Sequence, residues 1–418
     1  MSANEARSVG GRFGFGTVAR ASAAGSRLSA AAAATAADDV EGVGTDRAVR
    51  ATRAIPGGDG KVMFIGLFPP PIDGQRVITQ RMFEAVSAVA TVNRHDLDPF
   101  PKIPSLSKAF SALTACAMLI ADRIAGCSTL YLAPHSGKGL FYSCGIVGTA
   151  RLLGYRLYVH YHSYRNIARH SGMMERFVTL CGRDAVHIVL APPMAREMRE
   201  LYGTANHVVT LSNTAFVAPN FAARDTSGRR RRLRIGHLSN LSVEKGIATV
   251  VECLRGLIAC GADVEMVVGG APTDRKAEEI VRAAAAEFGD RWRYLGQLRG
   301  HEVPRFYEDI DVFLFPTAYE HEAEPVVVID AMSAGVPVIA TDRGCIRHLV
   351  GEQGGRVFEA DAFVDHAVAE LSAWAGSPER LADVSRQARA RFTDLRQEAT
   401  ATLQEILVRI SDRIEQRA

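Results

Sequence analysis

From Lys61 onward, short apolar runs of four or five residues alternate with stretches in which apolar side chains recur every three or four positions. The first pattern reads as buried parallel strands and the second as amphipathic helices covering them, so the chain predicts repeated βα units. One series of strands is expected at Val62–Ile65, Thr129–Leu132, Leu157–His160, His187–Leu190 and His207–Thr210. A second is expected at Leu233–Gly236, Val264–Val268, Trp292–Leu295, Val312–Phe315 and Pro337–Ala340. Between them, residues 217–232 carry Pro219, Gly228 and the block Arg229–Arg232, and read as a polar linker. The expected fold is α/β, with two Rossmann-like doubly wound domains, 61–216 and 233–392. The carboxyl ends of their strands, where ligands bind, face each other across one cleft. A C-terminal helix, 393–418, is expected to pack back on the first domain, and residues 1–60, rich in Ala, Gly, Ser and Arg, read as a disordered tail.

Charge and cysteine content narrow the function classes. Lysine and arginine number 49 against 46 acids, a net charge of +3 that is too balanced for non-specific nucleic-acid binding, so no nucleic-acid partner is expected. The seven cysteines form no C-x-x-C pair, which points away from disulfide frameworks and zinc sites and towards a cytoplasmic protein. The most apolar run, Phe110–Cys127, is interrupted by Asp122 and Arg123 and does not read as a membrane span. Peripheral contact with the inner face of a membrane is compatible with all of this. The arginine bias of the tail also suits a targeting segment.

Candidate chemistry lies in the loops after the strands. Phe68–Arg76 combines three prolines with Gly74, where backbone can approach a ligand near a helix start. Ser136-Gly137-Lys138-Gly139 superficially suggests a phosphate loop, but Leu132 stands where its first glycine should be, so an ATPase is rejected. His160 and His162 end a strand; they point to opposite faces if it continues and converge if it has stopped. Lys245 stands just before an apolar helix, where a cation opposes the helix dipole unless an anion lies between them. Tyr319–Pro325 is an acidic loop leading into Val326–Gly335, and Asp330 interrupts the apolar helix.

Here the chain resembles the family-4 retaining glycosyltransferases of the GT-B fold (glycosyl transferases group 1), whose hallmark is two acids separated by seven residues. In this sequence the pair is Glu322 and Asp330, and the resemblance extends over Gly74-Gln75, Asn213, Glu244-Lys245-Gly246, Gly269-Gly270, Gly296-Gln297 and Pro337-Val338-Ile339. It implies that Glu322 is catalytic and that His160 or His162 approaches the donor sugar. Lys245 would hold the diphosphate, Asp330 the ribose, and Gly296, Gln297 and Leu298 the base, with Gly74, Gly270, Glu324, Pro325 and Val326 completing the donor site. The implied activity is retaining transfer of a sugar, as in polysaccharide biosynthesis, from a UDP- or GDP-sugar substrate to a saccharide or lipid-linked saccharide. No metal and no cofactor is expected. A sugar-nucleotide epimerase, a phosphorylase or a non-catalytic nucleotide-sugar-binding subunit are the competing readings, since fold does not fix reaction. Three features depart from the family: Asp330 replaces a glutamate, no arginine stands in Gly236–Glu244, and Ala323–Pro325 replaces a glycine-containing loop.

Overall fold

The structure is a computed structural model that describes residues 60–98, 104–203, 207–220 and 232–411. The expected tail up to residue 59, residues 221–231 of the expected linker, and residues 412–418 lie outside them.

The first lobe is built on six parallel strands, β1 (Lys61–Gly66), β2 (Thr91–Asp96), β3 (Thr129–Leu132), β4 (Arg156–His160), β5 (Val186–Val189) and β6 (Val208–Thr210), in the order β2-β1-β3-β4-β5-β6. The second repeats the plan with β7 (Leu233–Leu238), β8 (Val264–Gly269), β9 (Trp292–Tyr294), β10 (Val312–Phe315), β11 (Val338–Thr341) and β12 (Gly355–Phe358), in the order β12-β11-β10-β7-β8-β9. The central strands are continuous apolar runs because helices cover both faces: Met63, Phe64 and Ile65 of β1 and Phe313 and Leu314 of β10 have no exposed surface. β2 and β12 were not expected from the sequence. Both are edge strands, and β2 presents exposed Thr91, Asn93 and Arg94 instead of an apolar run.

Strand order fixes where a ligand can enter. Chain direction across the sheet reverses between β1 and β3 in the first lobe and between β7 and β10 in the second, and such switch points open a crevice at the strand carboxyl ends.

One helix ties the lobes together. Pro378–Ser411 has 34 residues, about 51 Å at 1.5 Å per residue. Its Phe392 and Leu395 enter a core of the second lobe, whereas Ala399, Leu403, Ile406, Leu407 and Ile410 enter a core of the first. Arg396 marks the crossover, its Nε donating to the carbonyl of Val217 at 2.9 Å.

Candidate active site

Lys245 follows β7 and Glu322 follows β10, the two strands that flank the second lobe's switch point. The lysine Nζ donates to Glu322 Oε2 at 2.6 Å. This contact answers the conflict read in the sequence: a cation at the start of helix Ile247–Ala259 has found a carboxylate. Tyr319 lies with its ring centroid 4.6 Å from Nζ, and Thr317 Oγ1 donates to the same Glu322 oxygen at 3.1 Å. Thr317 is itself held by Thr341, whose hydroxyl donates to its carbonyl at 2.5 Å.

Two glycines permit this convergence. Gly246 has φ +89, and a Cβ there would lie 2.1 Å from the carbonyl oxygen of Pro316. Gly344 has φ +54, and a Cβ there would lie 1.9 Å from the carbonyl oxygen of Glu322. The turns carrying Lys245 and Glu322 therefore rest directly on neighbouring backbone.

The remaining acids of the loop separate. Glu324, expected beside the donor, is instead buried against the exit of the first lobe. Its carboxylate accepts from Ser212 Oγ at 2.8 Å and from the Asn213 amide at 2.6 Å, while Asn213 Nδ2 donates to the Glu324 carbonyl at 3.1 Å. Burial pushes its pKa up to about 7 against those hydrogen bonds, which favour the charged form. Asp330 lies in helix Val326–Ser333, and burial raises its pKa to about 6, countered by the charge of Arg81. No described hydrogen bond joins Asp330 to Lys245 or Glu322. Helix Gly74–Ser87 of the first lobe supplies Arg81 and also runs beside the start of the Asp330 helix, a Cβ on Gly74 falling 3.4 Å from Val326 Cγ2. Pro325 caps the Val326 helix with extended backbone, leaving its first amides outside the helix hydrogen-bonding pattern.

Gly270, Gly296, Gln297 and Leu298 come together at the ends of β8 and β9. The Gly270 amide donates to the Gly296 carbonyl at 2.7 Å, Leu298 packs against Gly269, and Gln297 Oε1 accepts from Arg299 at 3.0 Å.

The histidines divide by burial. His160 is fully buried, and its Nδ1 is 2.6 Å from the Tyr131 hydroxyl, so it does not line the cleft as a catalytic group would. Its ring lies 4.1 Å from that of His162, which it supports. Both nitrogens of His162 are buried without a protein partner, and the ring lines a cavity with Gln75, His135, Ser136 and Asn166. Burial lowers the His162 pKa to about 3 and the His135 pKa to about 4, so both rings are neutral at physiological pH. The structure adds residues that the sequence did not single out: Thr317, Tyr319, Ser212 and Arg81. Arg165 joins them, packed on Gly137 with its charge acting on the Tyr319 hydroxyl.

Comparison with known proteins adds a family to the geometry. Residues 223–391 match the family model described as glycosyl transferases group 1. The GDP-mannose-dependent alpha-mannosyltransferase of Mycolicibacterium smegmatis is 32% identical over 162 residues, 36% of this chain and 40% of that protein. The lipopolysaccharide core biosynthesis mannosyltransferase LpsB of Rhizobium meliloti is 30% identical over 145 residues, 32% of this chain and 40% of that protein. The chain thus spans about two-fifths of the length of the curated relatives it matches. Among solved structures, Anabaena HepE with UDP and glucose superposes with a TM-score of 0.60 at 17% identity, covering 83% of this chain and all of HepE. The sucrose-phosphate synthase of Thermosynechococcus elongatus superposes with a TM-score of 0.63 at 18% identity, covering 84% and 98%. The chain has the GT-B fold of these structures, and its second lobe carries the sequence match to glycosyl transferases group 1.

Proposed function

We propose that this protein is a glycosyltransferase that moves a sugar from a nucleotide-diphosphate donor to a saccharide or lipid-linked saccharide with retention of configuration. The observation that carries the reading is the 2.6 Å contact between Lys245 and Glu322 at the switch point of the second sheet. A donor diphosphate would replace Glu322 as the counter-ion of Lys245, and the carboxylate so released would accept hydrogen bonds from the donor sugar. The positive charge and the amides at the start of the Val326 helix would stabilise the departing diphosphate. In the transfer the anomeric carbon–oxygen bond to phosphate breaks and the acceptor oxygen bonds to the same face, its proton passing to the diphosphate. Asp330 would bind the ribose hydroxyls, the Gly270–Gly296–Leu298 turn the base, and neutral His162 a hydroxyl from the first lobe.

Two of the relatives are named as mannosyltransferases, so GDP-mannose heads the donors to try. The test incubates the full chain with a panel of GDP- and UDP-sugars and saccharide acceptors and follows nucleoside diphosphate and glycoside by mass spectrometry. Release of the diphosphate with a matching rise of glycoside is expected for one donor. Sugar phosphate as product, an epimerised donor without acceptor, or binding with no turnover across the panel would each replace this reading.

A further inference from the structure

The loops of the second lobe that carry Lys245 and Glu322 are short of positive charge. Residues 239–246 and 317–325 together hold four acids, Glu244, Glu320, Glu322 and Glu324, and one cation, Lys245. Glu324 is turned towards Ser212 and Asn213, but Lys245 already faces Glu322 at 2.6 Å. The diphosphate of a nucleotide sugar carries a negative charge on each phosphate and gains another as the sugar departs, and that growing charge is what a transferase must stabilise. One lysine beside a carboxylate leaves most of it uncompensated. The missing cation stands on the first lobe.

Arg165 lies between β4 and helix Gly172–Cys181, at the carboxyl end of its strand. Its neighbour fixes the loop against the second lobe: the Tyr164 amide donates to the His321 carbonyl at 3.4 Å, one residue before Glu322, and the Tyr164 hydroxyl donates to Glu197 at 2.6 Å. The Arg165 side chain rests on Gly137, where φ is +60 and a Cβ would lie 3.0 Å from the guanidinium carbon, so the glycine leaves the room that the guanidinium fills. Burial and Glu322 raise the pKa of the Tyr319 hydroxyl, and from this seat the Arg165 charge opposes them. The ring of the same Tyr319 lies 4.6 Å from Lys245 Nζ, so one side chain senses both cations. Arg76, also at the carboxyl ends of the first sheet, is paired with Asp73 and Asp98. Arg165 is exposed, and among the described residues no acid accepts from its side chain. A guanidinium with its planar fork unoccupied matches a phosphate.

We propose that Arg165 binds the sugar-bearing phosphate of the donor from the first lobe and forms with Lys245 a two-cation clamp spanning the cleft, an assignment that rests on the nucleotide-sugar reading above. The sugar-bearing phosphate is the nearer one because Arg165 approaches beside Tyr319 and Glu322, where the sugar would lie. The test titrates the full chain calorimetrically with GDP, UDP and the matching monophosphates. For the diphosphate that binds, Arg165→Ala should weaken affinity about tenfold or more through lost charge-assisted hydrogen bonds, and should change affinity for its monophosphate less than about threefold. Arg165→Lys keeps the charge without the fork and should fall between alanine and wild type. Arg169→Ala removes the same charge from another exposed position of this loop and should match the wild type. Thermal unfolding should be unchanged in all three variants, since both arginines are exposed. Diphosphate affinity that survives Arg165→Ala, an equal loss for the monophosphate, or an equal loss in Arg169→Ala would overturn the clamp and leave the transferase reading standing. A loss confined to the KM of a phosphate-bearing acceptor would overturn it too, by assigning the arginine to the acceptor. A wild type that binds neither diphosphate would remove both readings together.

Discussion

Lys245 was legible in the sequence because a cation before an apolar helix contradicts the helix dipole, and a contradiction of that kind marks a local partner. Which acid supplies the partner was not legible, since Glu320, Glu322 and Glu324 lie within five residues and spacing along a loop says nothing of direction. The structure distributes them: Glu322 to the lysine and Glu324 to Ser212 and Asn213. Tyr319 and Thr317 escaped notice because a phenol and a hydroxyl carry no pattern of their own. With a donor identified, Lys245→Ala should lower turnover about 100-fold or more, the usual loss when a preorganised charge facing a leaving group is removed. Glu322→Gln should lower turnover comparably while leaving nucleoside diphosphate affinity within a few-fold, because its proposed partner is the sugar. Calorimetric titration with the nucleotide beside steady-state kinetics separates the two. Equal loss of nucleotide binding in both variants would place Glu322 on the phosphates.

At the scale of elements, the ten apolar runs were readable as strands, whereas edge strands β2 and β12 were hidden by polar and half-buried residues. Strand order was not readable at all, although it is what brings the ends of β7 and β10 together. The approach of their loops depends on backbone contacts at Gly246 and Gly344, where an added methyl group would fall about 2 Å from a carbonyl oxygen. Gly246→Ala should therefore displace Lys245, and Gly344→Ala should displace Glu322. Each should cost about 1–3 kcal/mol of stability through a strained positive φ and lower turnover at least tenfold. Differential scanning calorimetry and steady-state rates check both effects. Gly261→Ala, also at positive φ but with no atom within 4 Å of its Cβ, is the control, with a stability cost and no loss of rate. If all three variants lose rate alike, close backbone contact is not what positions the site.

The whole molecule holds two opposed sets of buried titratable groups, and their balance sets its response to pH. His135, His162, His187 and His237 have pKa values lowered by burial to about 4, 3, 4 and 4, and His160, His95 and His348 are lowered as well. The fold therefore holds fewer protons than the unfolded chain below the ordinary histidine value near 6.5, and stability falls as pH falls from there towards 4. Glu324 and Asp330 work the other way, raised to about 7 and about 6 from 4.5 and 3.8. For them the fold holds more protons, so their contribution is full below the unfolded value and is lost as pH rises through the folded one. Seven histidines outweigh two acids, and because the unfolded chain's histidines are still half protonated at pH 6.5, their gain continues above it and exceeds the loss from Glu324. Melting temperature should rise by several degrees from pH 5 to about pH 7 and level off between about pH 7 and 8, where Glu324 offsets part of the histidine gain. Because Glu324 joins the loop of one lobe to the exit of the other, Glu324→Gln isolates its share. The Ser212 hydroxyl can rotate to accept from the new amide while the amide oxygen keeps the Asn213 hydrogen bond. The variant should climb more steeply than the wild type between pH 6.5 and 8 and retain the acid limb, which belongs to the histidines. A wild-type melting temperature that falls from pH 6.5 to 8, or an acid limb that disappears in Glu324→Gln, would show that the buried groups have been assigned the wrong balance.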